Sequence, residues 1–484
     1  MIKKALFISL FLNSVFSFSQ EIISSTAVDL KRDRDVFQVV NDDKKQVTLF
    51  VSDKVKVKAI QLNEKMQIVD SISAERPNTK NYSNMIGYNS SDNNTRLFWT
   101  SAGCENIFAQ LFDFKEHKIT TKEYSLVLKN EKILQKFSSD EKFYILTVLK
   151  NSNNFKLHIF DSQGNYKEQI IALEGFHFFQ SNYVKSDLYG VFGQSLMPLE
   201  WPFTLTDVDA KNPASLTTSA AKRKCYFTKK QLIITIDLNV NFTQAIVIDL
   251  EKYTGTEKIV KSPPISNTSG SGFQLHLNSN SFLLDDKLYQ IKTSSDTFYF
   301  TIKDLDGNIV QEYDANADKQ IDFKNSEISL ENGDFMGGKR TLENSSQFIR
   351  KINNLYLGVA CYHIGENTLV TFGGITAVQQ TGTGQAVANQ FGLLGSLIGS
   401  FVFNPTMNSF NSYANRKVVK TEGLFDKEGK HITGDLQPLA FDKIRTFFDD
   451  NNDVSSQTLF KTDAYYLGYY DNKTKEYIIR KFAD

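Results

Sequence analysis

The chain has little of what catalysis and covalent cross-linking require. Among 484 residues there are three cysteines, six histidines, two tryptophans and eight prolines. Cys104, Cys225 and Cys361 cannot form a stapling framework for a chain of this length, and a core this large needs none. Two of them sit in strand-like surroundings, Cys225-Tyr226-Phe227 and Val359-Ala360-Cys361-Tyr362, and read as small buried apolar residues. His117, His158, His177, His276, His363 and His431 are scattered, with no pair at metal-ligand spacing on a helix and no His-Glu-x-x-His. His158 alternates with apolar neighbours, which suggests a sheet residue whose ring nitrogens are satisfied. His363 follows a strand and precedes an unusual segment.

Phosphate loops, dinucleotide fingerprints and Cys-x-x-Cys are also absent. Ser271, in Gly270-Ser271-Gly272, lacks the strand-to-helix setting of a nucleophile elbow. Asp314, Asn316 and Asp318, with Asp322 beyond, alternate like calcium ligands. However, Lys319 stands where a sharp-turn glycine belongs and Asn325 where a terminal glutamate belongs, so the run reads as a solvated turn. The sequence thus assigns no catalytic residue, no cofactor and no metal ligand. Charge of one sign is also missing: 55 basic residues face 55 acidic ones. A balanced surface offers no broad field for a polyanion, which argues against nucleic acid as a partner. Lys222-Arg223-Lys224 reads as a solvated loop cluster.

At the N-terminus Lys3 and Lys4 precede the apolar run Ala5-Leu6-Phe7-Ile8-Ser9-Leu10-Phe11-Leu12, and Ser17-Phe18-Ser19 places small residues where a signal peptidase needs them. This is a secretory signal over 1–19 with cleavage before Gln20. The run is far shorter than the roughly 20 residues a membrane span needs, and no cysteine lies near the cleavage point, so a lipid anchor is not expected there. The expected location is periplasmic or extracellular.

Beyond the signal, a strand, a polar turn and a second strand recur. The turn residues are Asn63, Asp113, Asp161, Asp249, Asp304, Asp426 and Asp471. The first intervals, 50 and 48 residues, match the blade length of a propeller. The intervals of 88 and 122 read as about two short periods, and as two periods plus an insertion. Asp or Asn at such turns accepts backbone N–H groups and lets two strands reverse tightly. The abundance of aromatics, 39 Phe and 20 Tyr, suits stacked sheets. The expected fold is all-β, a single β-propeller over 20–484, of seven blades with eight as the alternative count. Tyr465-Tyr466-Leu467-Gly468-Tyr469 is expected to dock beside Val36-Phe37-Gln38-Val39-Val40 and latch the ring. The likeness to propellers is one of architecture. With only Trp99 and Trp201 present, the repeated Trp-Asp signature is missing, as are sialidase-type boxes. Residues 195–222, with Pro198, Pro202 and Pro213, read as a long inter-strand loop.

From Asn367 to Asn415 no residue is charged, in a chain that is 23% charged. Within this Gly-rich insertion, residues 385–403 read as a helix candidate. Val387, Phe391, Leu394, Ile398 and Phe401 fall on one face at three- and four-residue steps, beside a smooth stripe of Ala388, Gly392, Gly395 and Gly399. Something must cover these side chains: the protein's own ring, a partner, or a membrane surface. The five apolar residues are the candidate partner contacts. The expected function is a non-enzymatic binding or scaffold protein of the bacterial cell envelope, meeting a protein or envelope component through propeller-face loops and the 367–415 insertion. Peripheral membrane contact stands beside it. The alternative is a hydrolase or lyase acting on carbohydrate or peptide in the propeller funnel.

Overall fold

The computed structural model describes residues 20–483 apart from 29–34, 42–43, 92–93, 102, 182, 266–275, 332–337, 378–415 and 452–453. Seven sheets of four or five strands follow one another along the chain and form the blades of a propeller. In blade 1 the strands Asp35–Asn41, Gln46–Ser52, Lys56–Leu62 and Ile68–Glu75 pair in sequence order. Blades 2, 3 and 5 repeat that order over 84–125, 131–172 and 278–316. Blade 4 adds a short strand, Thr206–Asp207, on the inner edge of Arg223–Phe227.

The residue patterns explain the layering. Second strands such as Lys142–Leu149 (KFYILTVL) are apolar on both faces, because each face packs on a neighbouring strand layer. Fourth strands such as Lys118–Ser125 (KITTKEYS) are largely exposed and polar, and form the outer rim. The first strands of successive blades touch one another: Asp35–Asn41 with Val454–Lys461, Asn84–Ser91 with Glu131–Ser138, and Asn278–Leu284 with Tyr356–Ile364. The core is therefore divided into wedges between blades. Phe50, Trp99 and Phe112 lie between blades 1 and 2, and Phe98, Phe143 and Phe160 between blades 2 and 3.

The turn residues locate the blades. Asn63, Asp113, Asp161, Asp249, Asp304 and Asp426 each follow the third strand of blades 1 to 6, and their Oδ1 atoms accept backbone N–H groups of the next residues. The intervals of 88 and 122 residues therefore do not each hold two periods. Each is one blade enlarged by insertions. Asp471 differs, because it turns the second strand of blade 7 into the third (Tyr465–Asp471 into Glu476–Phe482). Blade 7 has no turn after its third strand, since its fourth strand is the N-terminal Gln20–Ala27, paired antiparallel with Glu476–Phe482. The expected latch is thus corrected. Val36–Val40 does lie beside blade 7, with Gln38 Nε2 donating to Leu459 O at 3.4 Å, but the strand that hydrogen-bonds into the blade is 20–27.

Blade 6 also borrows its rim. Its inner three strands are Tyr356–Ile364, Asn367–Ile375 and Val418–Phe425, and its outer ones, Ile328–Glu331 and Lys339–Leu342, come from upstream. Residues 367–375 are thus an ordinary blade strand, and the part of the uncharged segment beyond them lies between the second and third strands. Among the described residues, four helices decorate the ring: α1 (Leu188–Gly193), α2 (Leu216–Ser219), α3 (Ser345–Asn353) and α4 (Ala440–Asp450). Through Ala440, Ile444 and Phe447, α4 covers the blade 7 face opposite blade 1.

Where α2 lands on blade 6, two paired glycines, Gly358 and Gly373, leave room for its close approach. A Cβ on Gly373 would sit 2.3 Å from the Val419 carbonyl oxygen and 2.7 Å from Leu216 Cδ1. The obstacle on one side is backbone and cannot swing away. Gly373→Ala is therefore expected to cost about 1–3 kcal/mol, read as a lowered urea midpoint. Gly307→Ala, at a site with no atom within 4 Å but a φ of +89°, separates backbone strain from crowding.

Candidate binding face

Strand direction sorts the connections. First-to-second and third-to-fourth turns lie at one end of the channel, and second-to-third turns and inter-blade crossings lie at the other. Three long insertions, 173–222, 317–355 and 376–417, all belong to the second end. Apart from the connection 426–453, which starts there and carries α4 to blade 7, the opposite end has short hairpins among the described residues. Between the tips of blades 1 to 4 it holds a cleft of about 360 Å³, lined by Asn41, Lys44, Ser90, Ser139, Lys142 and Lys229 among others. There Lys229 pairs with Asp140 at 2.5 Å.

The insertion 173–222 lies across the inner strands of four blades. Gln135 Nε2 of blade 3 donates to Leu205 O at 2.9 Å, and Thr206–Asp207 pairs with the inner strand of blade 4. Asn280 Nδ2 of blade 5 donates to Ala220 O at 3.0 Å, and Leu216 rests on the glycines of blade 6. The segment read as a long loop thus occupies this end of the channel.

A fully buried guanidinium holds it. Arg223, in the inner strand of blade 4, donates through Nη1 to the carbonyls of Phe192 (2.6 Å) and Gln194 (3.1 Å), and through Nη2 to that of Trp201 (3.0 Å). Its Nε reaches Glu200 Oε1 at 3.2 Å, and the backbone N–H of Lys222 donates to Glu200 Oε2 at 2.6 Å. A planar fork with five donors suits such convergent acceptors. Lys224 is equally buried: its ammonium donates to Asp237 (2.8 Å), Asn280 (2.7 Å) and Ala221 O (2.6 Å), while Asp237 also accepts from Thr243 and Ser281. Burial pushes the Asp237 carboxyl up, but the ammonium and these donors outweigh it and hold it below the usual carboxylate value. The expectation of solvated loop charges at 222–224 is therefore overturned. A charge cluster looks solvated in a sequence because its partners here, distant carbonyls and a carboxylate, leave no mark beside it.

Two groups in this region are displaced toward neutrality. Burial pulls Lys222 down to about 8, helped by Lys224 and opposed by Asp237 and Glu200. Crowding by protein pushes Asp207 up to about 7, with Asp209 adding to it, although the side chain remains open to solvent along the channel. Its neighbour Cys225, at 3.9 Å, has a thiol pushed well above its usual value by burial, which makes it a poor nucleophile.

The remaining candidates fall as follows. His158 is buried with both ring nitrogens occupied, Nε2 against Glu131 (3.1 Å) and Nδ1 against the Tyr166 hydroxyl (2.8 Å), as expected of a satisfied sheet residue. His363 forms a surface pair with Asp285 at 2.9 Å. In the calcium-like run, the Lys319 ammonium contacts Asp314 at 2.5 Å and Asn316 caps the turn, so a lysine occupies the cation's place. Among the described residues, no group of three or more His, Cys, Asp or Glu side chains is placed to hold a metal, and no helix is long and apolar enough to cross a membrane. Cys104, Cys225 and Cys361 are all buried and unbridged. Val387, Phe391, Leu394, Ile398 and Phe401, like Ser271, lie outside the described residues. The neck from which the former emerge is described: Thr376 N donates to Lys417 O (3.0 Å) and Arg416 Nη1 to Thr376 O (3.1 Å). Beside it, Leu199 of the first insertion packs with Leu216, Ile375 and Val418, while Met197 and Trp201 are 40% and 44% exposed. Sequence reasoning read 195–222 as a loop but did not single out Met197 and Trp201 as exposed side chains. The one available signal was a tryptophan between two prolines.

No protein-family model matches the chain, and no curated protein matches it in sequence. Solved structures give weak likenesses. Hsv2 of Kluyveromyces lactis matches at 10% identity and a TM-score of 0.32, over 93% of this chain and 98% of that one. A Lactobacillus plantarum protein matches at 9% and 0.27, over 69% and 79%. A Synechocystis apocarotenoid oxygenase mutant matches at 8% and 0.27, over 56% of this chain, which spans only 61% of the oxygenase. The fold assignment rests on the strand pairing, and these likenesses add nothing to it.

Proposed function

We propose that this chain is an exported, non-enzymatic binding or scaffold protein of the bacterial cell envelope. The observation that carries the reading is the asymmetry of the ring: three long insertions, two of them fastened by Arg223 and by the Thr376–Lys417 neck, join strands at one end, while the other end has short turns and the start of the connection 426–453. A rigid ring that collects its loops on one face presents a preorganised surface. Val387, Phe391, Leu394, Ile398 and Phe401 are the proposed contact side chains, since burying them in a partner would stabilise the complex by about 1.5–3 kcal/mol each. Export agrees with the N-terminal pattern, and a chain cut before Gln20 keeps the whole latch strand.

A hydrolase or lyase site in the funnel is the weaker alternative. On the decorated side the funnel is crossed by 173–222, and the Asp207 carboxyl faces a thiol that burial disfavours as a nucleophile. The test is replacement of 378–415 by a short Gly-Ser bridge in the mature protein, followed by chemical cross-linking in intact envelopes. The cross-linked species should disappear while the urea midpoint stays within about 1 kcal/mol of the parent. Unchanged cross-linking would place the contact elsewhere.

A further inference from the structure

The decorated face also carries a concentration of positive charge. The upstream rim of blade 6 brings Lys339 opposite Glu331, and Glu331 opposite Val418. With adjacent strands about 4.8 Å apart and side chains alternating between faces, Arg340 shares its face with Lys417 two strands away, while Lys339 alternates to the other face. The last turn of α3, which packs on the same blade, adds Arg350 and Lys351. The crowding is visible in Lys351, which burial and then Lys417, Arg340 and Arg350 push below the ordinary lysine value. Among the described residues, nearby acids include Glu331, 3.9 Å from Lys339, Glu327, which accepts from Thr341, and the exposed Glu343. Arg340 and Arg350 are exposed. Next to this patch, across the Leu199–Val418 contact, stand the exposed Met197 and Trp201.

We propose that this face docks on an anionic phospholipid surface, with Arg340, Arg350 and Lys417 meeting headgroup phosphates and Met197 and Trp201 entering the acyl boundary. The inference rests on the binding reading above and names its partner. Cations beside an exposed indole and thioether match the layered chemistry of a membrane interface, charged outside and apolar a few ångströms deeper. An acidic protein would satisfy the cations alone.

The test uses the mature protein with vesicles of phosphatidylcholine alone or mixed with phosphatidylglycerol. Binding is expected only to the mixed vesicles. Each Lys or Arg near an anionic surface contributes roughly fivefold in affinity, so Arg340→Glu/Arg350→Glu should weaken binding at least ~25-fold. Both residues are exposed, so the fold should be retained, as circular dichroism would confirm. The chain has two tryptophans, and Trp99 is 1% exposed. Quenching by acyl-brominated lipid therefore reports on Trp201, and Trp201→Phe should abolish it. Equal affinity for both vesicle types, or no quenching of Trp201, overturns the proposal. If vesicles are ignored while the 378–415 deletion still removes a cross-linked protein, the lipid assignment falls and the binding reading stands. If both measurements are negative, both fall.

Discussion

Arg223→Ala is expected to cost about 3–5 kcal/mol, because it removes one partner of a buried ion pair and strands several acceptors together. Glu200, 4% exposed, would keep only the Lys222 N–H as a described donor. The carbonyls of Phe192, Gln194 and Trp201 would lose the guanidinium that gathers them. The loss should have two readouts. Urea unfolding should show a lower midpoint, and limited proteolysis should show new cleavage within 188–203 under conditions where the parent ring stays intact. Arg223→Lys should recover little, since a single ammonium cannot span acceptors that a planar fork reaches from several nitrogens. The proposed binding should weaken with it, as Trp201 loses its fixed position. A midpoint within about 0.5 kcal/mol of the parent, the range of an ordinary surface substitution, would show that the clasp is not what holds the insertion.

Glu131→Ala should be of similar size and act in a different place. In blade 3 the buried Glu131 carboxylate accepts from Lys156 (3.1 Å), from Thr147 (2.5 Å) and from the His158 ring (3.1 Å), and Tyr166 links that ring to Glu168. All four strands of the blade contribute side chains, so one truncation leaves Lys156, Thr147 and His158 without their shared acceptor while the backbone ladders remain. The expected loss is about 3–5 kcal/mol. Glu168→Gln, at a carboxylate 43% exposed, should cost about 1 kcal/mol or less.

The pH dependence follows from the same groups. Burial pushes the Glu131 carboxyl up, but the bonds from His158, Thr147 and Lys156 outweigh it and leave the carboxyl below its ordinary value. A carboxyl whose folded value is depressed binds fewer protons in the folded state. Its contribution is therefore present above the unfolded carboxylate range and lost as pH falls through the folded value. Between neutral pH and about 5 the parent and Glu131→Ala should differ by a constant amount, and the gap should close in stronger acid. A gap that widens on acidification would contradict the assignment.

Local chemistry made much of the fold legible. An Asp or Asn that accepts the N–H groups of its own turn needs no distant partner, so Asn63, Asp113 and Asp161 announce their hairpins in the sequence. Doubly buried strands such as Lys142–Leu149 announce themselves by composition. What stayed hidden depends on pairing across hundreds of positions. Nothing in Gln20–Ala27 says that it will meet Glu476–Phe482, and the borrowed rim of blade 6 breaks the order in which hairpins would pair. The spacing argument failed at the two long intervals for the same reason, since an insertion and a missing turn look alike when only distances are counted. The candidate binding face was half legible. The uncharged stretch stood out by composition, but Arg223 looked like one of three solvated charges, and the cations of blade 6 are scattered between Lys339 and Lys417 and gather only when the sheet forms.

The latch strand has a consequence for the order of events. Ser25 donates to Glu476 across 451 positions, so the latch strand must wait, without its partner, until almost the entire polypeptide is available. Closing so long a loop is slow. A chain interrupted shortly before its C-terminus would retain six blades and an open seam, with Val454–Lys461 and Tyr465–Asp471 presenting free edges to other copies. Quality control of this protein would then be concentrated at one place, the seam, where an unfinished molecule differs most from a finished one.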